Sequence, residues 1–132
     1  MTRSAMIAAL ALMGLSACVA EQEVSGSAAF QESCAACHGA DARGGGPLAD
    51  GLPIPPPDLT GMSGANGGIF PRDYIMSTID GYSRGVHFSE AMPEFGAGDL
   101  GPTVIVEDVE GIGTPVPVRL LALADYLESI QR

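Results

Sequence analysis

The stretch Cys34-Ala35-Ala36-Cys37-His38 decides what this 132-residue chain folds around. Two thiols lie one helical turn apart, and an imidazole follows the second thiol directly, which is the spacing of a c-type haem attachment site. Each cysteine sulfur can add to one of the two haem vinyl groups, while the histidine coordinates the iron through a ring nitrogen. The motif therefore predicts that Cys34, Cys37 and His38 hold one covalent haem c.

Three other kinds of site share the Cys-x-x-Cys spacing. A thioredoxin-like redox pair needs no histidine and opens a helix after a strand within a βαβ pattern. A structural zinc site needs about four ligands, and outside the motif only Cys18, His87 and carboxylates are candidates. A disulfide between cysteines this close would enclose almost no loop and stabilise little. Haem attachment is therefore the favoured interpretation.

The composition indicates one small, loop-rich domain. The chain has no Trp, three Tyr and four Phe, against 18 Gly and ten Pro, so large core residues are few. A bound haem would supply the missing apolar bulk. The formal charge is −10, with six basic residues that are all Arg, which argues against nucleic acid and anionic lipid surfaces as partners. The acidity either fits a partner with a basic or neutral docking face or provides solubility alone.

Residues 1–17 are typical of a signal peptide of the lipoprotein type. Arg3 precedes an apolar run from Ala5 to Leu15, which is too short to span a bilayer unless it is extended. The run ends in Leu15-Ser16-Ala17-Cys18, which resembles a bacterial lipobox. This resemblance makes Cys18 the predicted lipidation site and residues 18–25 a polar tether.

Two alternatives to lipidation remain at this N-terminus. Ordinary cleavage after Ala20 would remove Cys18 altogether, and an uncleaved run would stay as a membrane anchor. Each route exports the domain, which suits haem attachment outside the cytoplasm. We therefore expect the protein on the periplasmic side of a bacterial membrane, lipid-anchored or, as the alternative, soluble in the periplasm.

Local patterns predict a mostly α-helical domain over residues 26–132. The predicted helices run from a cap at Ser25 or Ser27 to His38, from Pro71 to the residue before Gly81, and from about Pro117 to about Gln131. Residues 39–68 contain regularly interspersed apolar side chains, which favours an ordered loop over a flexible linker; they are Leu48, Leu52, Ile54, Leu59 and Met62. Two β-branched runs around a Gly-containing turn predict a small β-hairpin at about 103–118.

Several motifs together resemble those of a small monohaem class I cytochrome c over residues 26–132. They are Gly26, Phe30, Cys34-x-x-Cys37-His38-Gly39, the Gly-Pro-Leu and Pro-Asp-Leu turns, Ile79-x-Gly81, Met92-Pro93-x-Phe95-Gly96 and a terminal Leu-Ala-Asp-Tyr-Leu. The resemblance implies a class I cytochrome c fold, with three to five helices around the haem and long ordered loops. It also implies that the first and last helices cross where Gly26 and Phe30 meet Leu123 and Tyr126. Glycine suits a crossing because a side chain there would push the helices apart.

The resemblance assigns further haem contacts. It makes Met92 the second axial iron ligand, opposite His38, and it makes the Pro47 carbonyl the acceptor of a hydrogen bond from the free ring nitrogen of His38. The residues alone support Met92 more weakly, since it lies in a Gly-flanked loop that can fold over the haem. A thioether favours Fe(II) and raises the reduction potential.

Two other outcomes remain for the second axial position. His87 is the rival ligand, since imidazole also binds iron, and an open position is the other outcome. Met62 and Met76 suit core packing better than iron ligation.

The sequence departs from the class I pattern in two places. The segment Val104–Val118 is longer than the usual link before the last helix, and no function is assigned to it. Some members of this family dock to their partners through a ring of lysines. Because this chain has no Lys, that docking mode is not expected here.

These expectations describe a periplasmic electron-transfer protein and not an enzyme. His38 and Met92 would be the metal ligands, and no pair of carboxylates stands at a spacing that indicates catalysis. Expected partners are redox proteins such as a membrane oxidase, a quinol-oxidising complex or a periplasmic dehydrogenase. One alternative is an electron-relay subunit fixed in a dehydrogenase or oxidase complex. Another is a haem-based gas sensor or peroxide-reactive protein in which Met92 is displaceable.

Overall fold

The described part of the chain is mainly helical with one small sheet. The structure, a computed structural model, describes residues 24–82, 91–107 and 110–132. The helices are α1 (Gly26–Ser33), α2 (Ala35–His38), α3 (Met62–Ala65), α4 (Arg72–Asp80) and α5 (Val118–Ser129), and the strands are β1 (Thr103–Glu107) and β2 (Gly113–Pro117). The antiparallel pairing of β1 with β2 confirms the predicted hairpin.

Some predictions lie outside the described residues. They concern the signal peptide at 1–17, the lipidation site Cys18, most of the tether and the rival ligand His87. Of the helices that the structure describes, none has the length and apolar character needed to cross a membrane.

The crossing of α1 and α5 sets the frame of the domain. A Cβ on Gly26 would lie 2.6 Å from the carbonyl carbon of Ala122, closer still to its oxygen, and 2.9 Å from the Cβ of Tyr126. One turn along α1, Phe30 is fully buried, and its ring centroid lies 5.3 Å from that of Tyr126. Glycine is therefore required where the backbones meet, as the resemblance to class I cytochromes implies.

The first predicted helix is interrupted at the haem motif. Ser25 caps α1 by accepting a hydrogen bond from the Ala28 amide at 3.2 Å, as predicted. The helix then stops at Cys34, whose φ of −119° departs from helical values. A new turn, α2, starts at once because the amide of His38 bonds back to the Cys34 carbonyl at 2.9 Å. Gly39, with φ of +78°, ends it.

The second predicted helix begins one residue late and ends as expected. Pro71 has ψ of 66° and precedes α4, so it is the capping residue and not the first helical one. Gly81 takes the left-handed conformation that ends the helix. Ile75 and Ile79 are buried, while Tyr74 keeps 52% of its surface exposed.

The loop between α2 and α3 is held by backbone hydrogen bonds. The amides of Gly46 and Leu48 donate to the carbonyls of Cys37 and Ala36 at 3.0 and 2.8 Å. A Cβ on Gly46 would lie 2.5 Å from the Ala36 oxygen, so the loop approaches the motif helix at backbone distance. This bonding agrees with an ordered loop, although Leu48 itself is 62% exposed.

Ion pairs tie the C-terminal helix region to the rest of the domain. Arg72 on α4 pairs with Asp125 and, at 2.7 Å, with Glu128 on α5. Arg119 at the start of α5 reaches Glu32 on α1 at 2.6 Å. These pairs join helices that are far apart in the sequence.

Candidate haem site

One cavity of about 360 Å³ brings together four residues that the sequence predicts to hold the haem. Cys34, Cys37 and His38 line it from the motif, and Met92 lines it from the loop after α4. The cysteines and the histidine are all half-buried. The two thiols, the imidazole and the thioether therefore face one space, although their iron ligation remains a prediction.

The walls of this cavity are mostly apolar and come from every part of the described fold except the hairpin. They include Phe30 from α1, Leu52, Ile54, Pro55, Pro56, Pro57 and Leu59 from the loop, Met62 from α3, Ile75 and Ile79 from α4, and Leu123 and Leu127 from α5. A hydrophobic shell around a metal centre limits solvent access to it and shifts its reduction potential. The cavity therefore suits a largely apolar prosthetic group.

Met62 is a cavity residue that sequence reasoning missed. From the sequence, Met62 is expected to pack in the core, and it does pack against the core, but it also lines the cavity together with Met92. Local spacing could not find this, because the contact depends on how the loop before α3 folds back.

The imidazole of His38 is held in a form that can bind a metal. Burial lowers its pKa, and the neighbouring backbone of Pro57 opposes that shift. Nδ1 is buried, and within the described ranges it has no partner that satisfies hydrogen-bond geometry. A neutral imidazole is the form that ligates metals, and a buried polar nitrogen without a partner is costly. The site therefore fits a prosthetic group whose metal is coordinated by a ring nitrogen of His38.

Pro47 and Pro57 occupy different positions around the motif. The backbone that acts on His38 is that of Pro57, which also lines the cavity. Pro47 lies between Gly46 and Leu48, whose amides bond to α2. The predicted hydrogen bond from His38 to the Pro47 carbonyl thus stays a prediction, and Pro57 is a second candidate that the sequence pattern did not single out.

The thiol of Cys34 is unlike that of a redox-active cysteine. Burial raises its pKa to about 11, with Arg119 opposing and Cys37 adding to the shift. Reactive cysteines have a lowered pKa, because the thiolate is the nucleophile and the metal ligand. Both cysteines carry free thiols, and among the described residues no three His, Cys, Asp or Glu side chains are grouped as a metal site. This environment argues against a redox-active or metal-binding cysteine pair, and thioether attachment stays the predicted role of the two thiols.

Two glycines allow the Met92 loop to pack against the end of α4. A Cβ on Gly81 would lie 2.9 Å from the Cγ of Glu94, and one on Gly96 would lie 2.5 Å from the Asp80 carbonyl oxygen. The backbone contact at Gly96 leaves no room for a side chain, and Gly81 has a φ of +97°, which disfavours one. This packing carries the chain back over the cavity after α4, and Met92 contributes to the core there.

Comparison with known proteins supports a haem-binding role for this site. Residues 21–107 match the family model described as cytochrome c oxidase, cbb3-type, subunit III, and this range contains the haem motif and the Met92 loop. No curated protein and no solved structure matches the chain significantly. A domain of this family carries covalently bound haem c and transfers electrons through it. The chain therefore belongs to the family of cytochrome c oxidase, cbb3-type, subunit III, and is a small class I c-type cytochrome.

Proposed function

We propose that this protein is a one-electron carrier, and not an enzyme, with one haem c whose axial ligands are His38 and Met92. The observation that carries the proposal is the shared cavity, in which Cys34, Cys37, His38 and Met92 line the same apolar space. When bound there, the haem supplies reversible one-electron chemistry at its iron. Filled axial positions leave no place for a substrate on the iron.

The residues of the chain have distinct roles in this proposal. Cys34 and Cys37 would hold the prosthetic group covalently, and His38 and Met92 would supply the ligands to its iron. The apolar walls keep water out, and the thioether of Met92 favours the reduced state, so both raise the reduction potential. The Arg72 and Arg119 ion pairs keep α4 and α5 in place around the cavity.

A titration of the haem-loaded protein tests the carrier function. We expect one reversible one-electron wave, a Met–Fe(III) charge-transfer band in the oxidised form, and no binding of carbon monoxide or cyanide at concentrations that saturate a five-coordinate haem. Ready binding of either ligand, with the band absent, would contradict the carrier and would favour the gas-sensing or peroxide-reactive alternative.

We further propose that the domain works on the periplasmic side of a bacterial membrane, anchored by a lipid on Cys18. The support is the apolar run that ends in Leu15-Ser16-Ala17-Cys18 and the requirement for haem attachment outside the cytoplasm. Cys18→Ser should move the haem protein from the membrane fraction to the soluble periplasm with its haem retained. Continued membrane association would contradict lipidation, while a parent protein that is already soluble would favour ordinary cleavage.

A second candidate function is an electron relay held in a larger oxidase. The observation that favours it is the description of the matched family, which is that of an oxidase subunit. Redox partners of the carrier would otherwise be a membrane oxidase, a quinol-oxidising complex or a periplasmic dehydrogenase. Purification from mild detergent separates the two, because a relay subunit keeps a fixed stoichiometry with its oxidase at high salt, whereas a carrier dissociates.

A further inference from the structure

The two outer edges of the hairpin differ chemically. β1 (Thr103–Glu107) contains no proline, whereas β2 (Gly113–Pro117) contains Pro115 and Pro117. Proline has no N–H, so in an antiparallel pair it stands where the backbone points away from the partner strand. The prolines of β2 therefore lie along its outer edge and remove two of the donors that another strand would need.

The register shows which groups of β1 face outward. The Val118 amide donates to the Pro102 carbonyl at 2.9 Å, which makes this pair, next to the end of the ladder, a hydrogen-bonded one. Such pairs alternate with non-hydrogen-bonded pairs. The residues of β1 whose amides and carbonyls point away from β2 are therefore Thr103, Ile105 and Glu107, which stand opposite the two prolines and the glycine of β2.

This outer edge of β1 is exposed along its whole length. All five residues of the strand are exposed, with Val104 at 43% and Ile105 at 65% of their surface. Across the described residues, no hydrogen bond engages the outward amides of Thr103, Ile105 and Glu107. A row of unpaired donors and acceptors on an apolar strand is a template for another strand.

The charge around the hairpin is of one sign. Residues 91–118 contain no Arg or Lys and carry five carboxylates, those of Glu94, Asp99, Glu107, Asp108 and Glu110. Three of the carboxylates lie within residues 107–110, at the end of β1 and just beyond it. Three of the four described arginines, Arg72, Arg119 and Arg132, are already paired within the chain. A segment that adds to β1 therefore meets an acidic surface.

We propose that the outer edge of β1 binds an extended, basic segment of a partner protein by strand addition. The backbones of Thr103, Ile105 and Glu107 supply the hydrogen bonds, the exposed side chain of Ile105 supplies an apolar contact, and Glu107 receives an Arg or Lys of the partner. A second copy of this chain fits less well, because each copy carries a formal charge of −10. The proposal does not depend on the electron-carrier function.

The test uses the haem-loaded protein and a synthetic peptide with capped ends, Arg-Thr-Val-Thr-Val-Thr-Arg. Amide hydrogen exchange at residues 103, 105 and 107 should slow at least about tenfold at saturating peptide, because each amide gains a hydrogen bond. The amides of Val104 and Val106 should change little, since they already bond to β2. A peptide with Glu in place of Arg, and one N-methylated at the amides that would face β1, should give no protection.

Two variants at one position separate the contribution of the backbone to peptide binding from that of the side chain. Ile105→Pro removes an outward amide without removing a bond to β2 and should abolish peptide binding, whereas Ile105→Thr keeps the amide and should retain it. Unchanged protection of Val104 and Val106 shows that the hairpin is intact in each variant. Glu107→Gln should weaken binding about two- to fivefold and reduce its salt dependence.

Three results would overturn the proposal. One is the absence of protection at residues 103, 105 and 107 at any peptide concentration. Another is equal binding of the arginine, glutamate and N-methylated peptides. The third is a dimer of the haem-loaded protein that protects the same amides without peptide, which would assign the edge to a second copy of the chain.

Discussion

Replacing Gly26 by alanine should force the crossing helices α1 and α5 apart. The added methyl would lie 2.6 Å from the Ala122 carbonyl carbon and 2.9 Å from the Tyr126 Cβ, both shorter than Cβ contacts in real proteins. The Ala122 atoms belong to a helix backbone, so no side-chain rotation relieves the clash. The helices must separate, which disturbs the Phe30–Tyr126 contact as well.

The size of the effect follows from known costs of overpacking. Forcing an extra methyl into a packed core costs about 1–3 kcal/mol in the free energy of unfolding, and a clash with backbone belongs at the upper end. For a domain of this size, each kcal/mol lowers the melting temperature by about 4–8 °C. At about 2–3 kcal/mol, Gly26→Ala should therefore lower the melting temperature of the haem-loaded protein by about 8–24 °C, measured by far-ultraviolet circular dichroism.

Gly64→Ala is the matched control for this substitution. Gly64 also lies in a helix, α3, but a Cβ there meets no atom within 4 Å. Alanine at such a position stabilises by about 0.4–1 kcal/mol because it restricts the unfolded chain. A Gly26→Ala protein as stable as the Gly64→Ala protein would refute the close crossing of α1 and α5.

Three further outcomes are expected. Cys34→Ala should leave the haem bound by a single thioether to Cys37, seen as one covalent haem by mass spectrometry under denaturing conditions; loss of all haem would contradict independent attachment. Arg72→Gln should lower the free energy of unfolding by about 0.2–1 kcal/mol, and the difference should shrink in 1 M salt, because its partners are exposed. Hydrogen bonds from the hydroxyl and amide of Thr60, aided by Arg132, lower the pKa of Asp58 below 3.8. The ionised carboxylate of Asp58 therefore stabilises the fold fully above its ordinary pKa, and this stabilisation is lost as the pH falls through the lowered pKa. Asp58→Asn should accordingly lose less stability than the parent protein in acid titrations. An equal loss would contradict this role of Asp58.

The sequence predicted the features of the fold that depend on residues close to one another in the chain. The cap at Ser25, the left-handed Gly81 and the paired β-branched runs of the hairpin each depend on residues close in sequence, and the structure contains all three. The haem motif is recognisable for a similar reason, because its two cysteines and its histidine lie close together at a fixed spacing. These features need no knowledge of what the segment packs against.

The parts that sequence reasoning missed depend on packing between distant segments. The break at Cys34 separates two helical turns that periodicity alone joins into one helix. Met62 and Pro57 reach the cavity because the loop of residues 39–61 folds back over α2. No periodicity marks such a contact, because loops without regular structure leave no repeating pattern in the sequence.

The central claim is that Met92, and not the neighbouring Met62, is the thioether that completes the iron site. Both side chains line the cavity, so Met62→Ala is the matched control for Met92→Ala. The measurement is the reduction potential together with the Met–Fe(III) charge-transfer band of each haem-loaded variant. Met92→Ala should abolish the band and lower the potential by on the order of 0.1 V or more, since axial ligands span about 0.8 V, with the haem still attached. Met62→Ala should keep the band; a band that survives in Met92→Ala and disappears in Met62→Ala would contradict the assignment.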